Sequence, residues 1–329
     1  MSTPVYTPIP PPATPANAKA PESLTESQDA MYQEVYKHFS SPDYALPDLE
    51  DGKLTEEEKF WLSQECMLRY LRASKWHVDT AIKRVTETLK WRRDFGVYGD
   101  DLSAKHVEPE AVTGKEVMLG FDSEGRPGVY LLPSRQNTEE SPRQVQFTVW
   151  MLEKAIDIMG PGVESLALLI NFGDRGSKNP SMAQSRRVLN ILQDHYPERL
   201  GRALIINVPF LVNAFLKLIM PFVDPITRMK IKFNPDVVKD GFFAADNVME
   251  SWGGTCNFQY EHEQYWPALV AMCAERKKAN MERWRALGGT VGLKEWDYKQ
   301  ESESKTSVLD EQTLAAAPAE TQTVEATAA

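Results

Sequence analysis

Cysteine and histidine are both scarce in this chain of 329 residues, and neither is grouped. The three cysteines, Cys66, Cys256 and Cys273, have no Cys-x-x-Cys or metal-ligand spacing. That pattern excludes a zinc ribbon and a disulfide framework. It predicts buried small apolar residues in a reducing compartment. The five histidines contain no His-Glu-x-x-His, and His262-Glu263 has no second His to complete one. Gly-x-Gly-x-x-Gly, Walker A and Gly-x-Ser-x-Gly are also absent. Gly114-Lys115 lacks the upstream Gly and the following Ser or Thr of a phosphate loop. Asp194-His195 beside Tyr196 falls at the end of a predicted helix and reads as a cap or surface pair. No residue is left to carry an enzyme reaction, so no enzyme, metal or cofactor is expected.

Positive charge is short as well. Lys and Arg number 37 against 47 Asp and Glu, a net charge of −10, which argues against nucleic-acid binding. The basic residues concentrate in the middle of the chain. No apolar run reaches the ~20 residues that span a bilayer. The Pro-rich N-terminus has no apolar core of a signal peptide. The expectation is a cytoplasmic, non-secreted chain whose membrane contact is peripheral.

What is present falls into five stretches. Residues 1–25 are rich in Pro, Ala and Thr and are expected to be disordered. Residues 26–104 read as helices. Met31, Val35, Tyr36 and Phe39 recur at helical spacing over 27–40. Thr55-Glu56-Glu57-Glu58 has the form of a capping box that starts a helix running to Ala73. A second helix begins after Trp76, with Val78, Ile82, Val85 and Leu89 on its stripe. Residues 105–260 change period. Glu116–Phe121 and Pro127–Leu132 read as strands about an Asp-Ser-Glu-Gly turn. Helices are expected from Pro142 to Met159 and from Asn179-Pro180 to Tyr196. Leu166–Phe172 and Ala203–Val208 are buried-looking strands. Strands alternating with helices predict a parallel or mixed α/β sheet. A C-terminal helix packs on that domain within 261–297, and 298–329 reads as a disordered tail.

The densest stretch is His195–Lys232. A Tyr-Pro-Glu-Arg turn leads into a short apolar strand. An apolar segment follows, with Pro209 before it and Pro221 in it, then Asp224-Pro225 and the basic Arg228, Lys230 and Lys232. Phe210, Leu211, Phe215, Leu218, Ile219, Phe222 and Val223 make the helix expected at Val212–Met220 apolar nearly all round. Such a helix is buried on both sides or meets something besides water. Each large side chain left in water would forfeit about 1.5–3 kcal/mol.

HYPERLGRALIINVP followed by LIMPFVDPITRMKI resembles the signature segment of the CRAL-TRIO lipid-binding family. The resemblance extends to ECMLRYLRASKWHVDTAIKRVTETLKWRRDFGV, the family's N-terminal helical region. RQNTEESPRQVQ, ESLALLINF and YWPALV are similar to the fungal phosphatidylinositol transfer proteins of the azole (pleiotropic drug) resistance branch. It runs roughly from Leu54 to Trp296.

The resemblance implies an α/β fold with an N-terminal helical bundle and a sheet enclosing a lipid pocket. Helix 212–220 would be its gate, with Leu166 and Leu168 lining the acyl pocket. The phosphatidylinositol headgroup site falls on Glu198, Thr227 and Lys230, with Glu198 and Lys230 forming a pair. The family's basic pair reads Ser74-Lys75 here, so only Lys75 carries over. Leu166-Ala167-Leu168-Leu169 has no hydroxyl where phosphatidylcholine-binding members have one, which implies poor phosphatidylcholine binding and room for a sterol. The implied role is phosphatidylinositol transfer between membranes, one lipid per protein. The alternatives are a sensor presenting the lipid to a phosphatidylinositol kinase, or a lipid-holding interaction scaffold. Anionic membranes would attract Lys217, Arg228 and Lys232, each by about 1 kcal/mol near the surface. The implied address is the cytoplasmic face of endoplasmic reticulum, lipid droplets or other internal membranes.

Overall fold

The computed structural model describes residues 3–13, 23–173, 181–208 and 225–300. Its first part is helical because its caps and apolar stripes agree. Helix α1, Glu26–Ser40, starts at a full capping box between Thr25 and Gln28. Helix α2, Glu56–Trp61, starts at the same device between Thr55 and Glu58. The expected continuation to Ala73 breaks at Leu62-Ser63. The Ser63 hydroxyl accepts from the Cys66 amide at 3.0 Å and starts a new helix, α3, Gln64–Ala73. The same hydroxyl donates to Glu295 at 2.7 Å, a partner too distant in sequence to foresee. Helix α4, Val78–Asp94, completes the set. Tyr32, Val35, Phe39, Met67, Leu71, Val85 and Leu89 pack with Val291 into one core.

A short helix, α5 at Ala104–Ala111, leads to the sheet. Strands β1 (Glu116–Phe121), β2 (Pro127–Leu131), β3 (Leu166–Asn171), β4 (Leu200–Ile206) and β5 (Ile231–Phe233) lie in that order. β1 and β2 are antiparallel and the other pairs are parallel, so the sheet is mixed. Helices α6 (Pro142–Ile158) and α7 (Met182–His195) make the crossovers on either side of β3.

Paired positions in a sheet share a face. Val129, Leu168, Ala203 and Ile231 therefore form one row of the front face, and Leu131, Ile170, Ile205 and Phe233 the next. Tyr130, Leu169 and Leu204 lie on the back and are fully buried. The back is covered by the segment 237–256, where Trp252 meets the Tyr130 ring edge-on at 5.9 Å. Gly120, at a break in the β1–β2 register, lets that segment approach. Its φ is +66°, and a Cβ there would sit 2.0 Å from the Asn247 carbonyl oxygen. On the front, Thr148 of α6 donates to Glu116 at 2.7 Å. Leu168, Ile170 and Ile231 are only half-buried there and Phe233 is 40% exposed.

Two ends differ from expectation. Residues 3–13 were expected to be disordered, yet Val5 bridges Phe258. The Val5 amide donates to Asn257 O, and the Gln259 amide to Val5 O, both at 2.9 Å. Val5 and Ile9 pack on the sheet's core, so the strip is held by apolar contacts as well as by those hydrogen bonds. At the other end, the helix His262–Ala286 is followed by a second, Glu295–Lys299. Tyr298 and Lys299 of that second helix are buried, inside the stretch read as tail. No helix among the described residues is long and apolar enough to cross a membrane.

Candidate functional site

The α7–β4 turn carries Glu198 in the left-handed region, with φ +59°. That conformation is uncommon for a residue with a Cβ. Leu200, two residues on, opens β4, and its carbonyl accepts from Lys230 Nζ at 2.7 Å. Lys230 ends the short helix Pro225–Lys230, directly before β5. β4 and β5 run parallel, so Glu198 and Lys230 lie at the same end of the sheet. The apolar front rows lead away from that end. Thr227 lies on the same short helix as Lys230, but its side chain is outside the described residues. Lys75 is exposed, in a left-handed turn after α3, with φ +52°. Leu166 is buried and Leu168 half-buried on the front of β3. Phe210, Leu211, Phe215, Leu218, Ile219, Phe222 and Val223, with the gate helix they were read to form, lie outside the described residues, as does Lys217.

The expected Glu198–Lys230 pair is replaced by another. Glu198 Oε2 accepts from Arg72 Nε at 2.5 Å. The reason lies in how α3 docks. The Tyr70 hydroxyl donates to the His195 carbonyl at 2.9 Å, joining α3 to the end of α7. That contact delivers Arg72, two residues after Tyr70, to Glu198, three residues after His195.

Arg72 is also the outer end of a ladder of alternating charges. Its Nη2 donates to both Glu164 oxygens, at 3.1 and 3.3 Å. Glu164 accepts from Arg69 at 2.7 Å, and Arg69 reaches Glu295 at 3.2 Å. Lys299 closes the inner end on Glu295 at 2.6 Å. Burial pushes the Glu295 carboxyl up, but Lys299, Arg69 and Arg199 together hold it well below the usual range. Arg199 is buried beside the ladder and donates to the Glu164 carbonyl at 2.8 Å. The inner members are nearly dry, whereas Arg72 and Glu198 are each 34% exposed. The ladder thus surfaces at Glu198. Sequence reasoning missed Arg72 because its partners lie 92 and 126 residues away.

His195 and the three cysteines are packed into the fold. The His195 ring stacks on Trp91 at 4.2 Å, with its Nδ1 3.0 Å from Thr88 Oγ1. Burial lowers its pKa to about 4, so the ring is neutral. It borders an open groove of about 480 Å³ between α4 and α7, which holds none of the predicted headgroup or pocket residues. All three cysteines are buried free thiols, and burial raises Cys66 to about 11.

Comparison with known proteins agrees with this architecture. The CRAL/TRIO domain matches residues 111–254, and the CRAL/TRIO N-terminal domain matches residues 31–87. A CRAL-TRIO domain-containing protein of Schizosaccharomyces pombe is 49% identical over 84% of this chain, which spans 28% of that protein's length. The phosphatidylinositol transfer protein PDR17 of Saccharomyces cerevisiae is 41% identical over 88% of this chain and 88% of its own. The crystal structure of Sfh5 superposes with a TM-score of 0.53 at 18% identity, covering 74% of this chain and 92% of that one. A mixed α/β sheet behind an N-terminal helical region, with both family domains matched in order, makes this chain a member of the CRAL/TRIO family.

Proposed function

We infer that this protein binds a single phosphatidylinositol molecule and transfers it between membranes. The observation that carries the reading is the polar end of the sheet. Glu198 and Lys230 flank the first residues of β4, and half-buried apolar rows start beside them. A phosphodiester calls for a cation, and inositol hydroxyls call for acceptors such as a carboxylate. Two acyl chains call for an apolar surface, which Leu168, Ile170, Ile231 and Phe233 supply. Thr227 joins the headgroup site as a hydroxyl donor. β3 carries no hydroxyl residue, so phosphatidylcholine loads poorly. The Saccharomyces cerevisiae relative is named for transfer of the same lipid.

The test is native mass spectrometry with lipid extraction on the purified protein, wild type beside Glu198→Ala/Lys230→Ala. The expected result is phosphatidylinositol on the wild type and none on a folded double mutant. A wild type that carries a sterol alone keeps the lipid site and removes the headgroup assignment. A wild type that takes up nothing from vesicles overturns the reading.

A further inference from the structure

Resting on that reading, we propose that Arg72 is the residue that grips the lipid's phosphate. The argument is a count of donors. A guanidinium offers five N–H groups in a fixed plane. In Arg72 the Nε–H goes to Glu198, and Nη2 goes to the two Glu164 oxygens. The two N–H groups of Nη1 have no partner among the described residues. Glu198 likewise has one carboxylate oxygen, Oε1, without a described partner. The Arg72–Glu198 pair therefore offers two donors on the side of the guanidinium away from the carboxylate and one acceptor on the carboxylate, with both side chains one-third exposed. That is the complement of a phosphodiester bearing a polyol. The phosphate oxygens take the Nη1 pair, and a ring hydroxyl donates to Glu198 Oε1.

Three features suit the pair to this role. The guanidinium is held from behind, because Glu164 is fixed by the buried Arg69. The ladder is not left net negative, because Arg72, Arg69, Lys299 and the adjacent Arg199 face Glu198, Glu164 and Glu295. Lys75, in the turn after α3, and Lys230, at the same end of the sheet, add positive charge nearby. Ser74 is buried, so the cation that binds from this helix end is Arg72, assisted by Lys75. A lysine in place of Arg72 would keep the charge but lose the fork that serves two carboxylates and a phosphate together.

The experiment loads wild type, Arg72→Gln, Arg72→Lys and Glu198→Ala/Lys230→Ala from vesicles containing phosphatidylinositol, and separately from vesicles containing diacylglycerol, which has no phosphate. Bound lipid is read by native mass spectrometry. Arg72→Gln is expected to lose about tenfold in phosphatidylinositol affinity, with its diacylglycerol uptake equal to that of wild type. Arg72→Lys is expected to recover part of the loss. Arg72→Gln loading phosphatidylinositol as wild type does, while the double mutant is empty, overturns the Arg72 assignment and leaves the proposed function standing. Equal loss of both lipids in Arg72→Gln and Arg72→Lys also overturns it, because that is what a merely structural role produces. A double mutant that loads normally removes Glu198 from the site, and the Arg72 assignment falls with it.

Discussion

Two of the arginines that tie the N-terminal helices to the sheet domain, Arg92 and Arg72, end differently. Arg92 of α4 makes a bidentate pair with Glu153 at 2.8 and 3.0 Å. Its Nε donates to the Tyr98 hydroxyl at 2.7 Å, and its plane lies over the Trp61 and Tyr98 rings. The Tyr196 hydroxyl completes Glu153 at 2.6 Å. Burial pushes that carboxyl up, yet Arg92 and Tyr196 bring it down to about 2. Arg92 is 3% exposed, and each of its three nitrogens has a partner. Arg72 makes pairs of the same chemical kind, yet one of its nitrogens has no partner among the described residues and its side chain is one-third exposed. Burial and donor count, rather than residue type, separate a fastener from a binding group.

The comparison breaks most visibly at the fastener. Glu153→Ala strands a buried guanidinium and is expected to cost about 3–5 kcal/mol of stability in urea unfolding. The lipid affinity of its folded fraction should stay at the wild-type value. Arg72→Gln is expected to do the reverse, with a stability loss within about 1 kcal/mol, since a partly exposed pair is worth little. Equal destabilisation by the two variants would erase the distinction.

A third test sharpens what burial does without a cation. Glu116 accepts from Thr148, but its Oε2 is buried with no hydrogen-bond partner among the described residues. Burial raises its pKa from 4.5 to about 7. The folded chain therefore holds a proton that the unfolded chain releases. Stability from this group is full below about pH 4.5 and falls as pH rises through about 7. Its side chain is not fully enclosed, so the discounted size is about 1–2 kcal/mol. Glu116→Gln should flatten that part of the pH–stability curve, read by melting at pH 5 and pH 8. The smallest effect belongs to Lys75→Ala, with phosphatidylinositol affinity lower by about twofold. A loss as large as that of Arg72→Gln would move the main cation to Lys75.

Legibility followed range along the chain. The Thr55–Glu58 box was readable because donor and acceptor lie three residues apart. The Ser63–Cys66 cap is just as local, but the bond that also holds Ser63 to Glu295, 232 residues away, was not legible. β5 has three residues, Ile231-Lys232-Phe233, too few to display a period, and it forms because β4 offers an open edge. β4 was anticipated from Ala203 but begins at Leu200. Gly201 and Arg202 interrupt the apolar run, and pairing with β3 overrides that composition.

The candidate site divides in the same way. The sequence by itself determined the α/β class and most helix starts, whereas Glu198, Thr227 and Lys230 became headgroup candidates only through resemblance to the family. The class and the helix starts are legible because caps, periods and turns are local signals. Only the tertiary structure decided that Glu198 meets Arg72 rather than Lys230. An ion pair between remote elements depends on how the elements dock, and here a tyrosine hydroxyl on α3 and a carbonyl at the end of α7 set that docking.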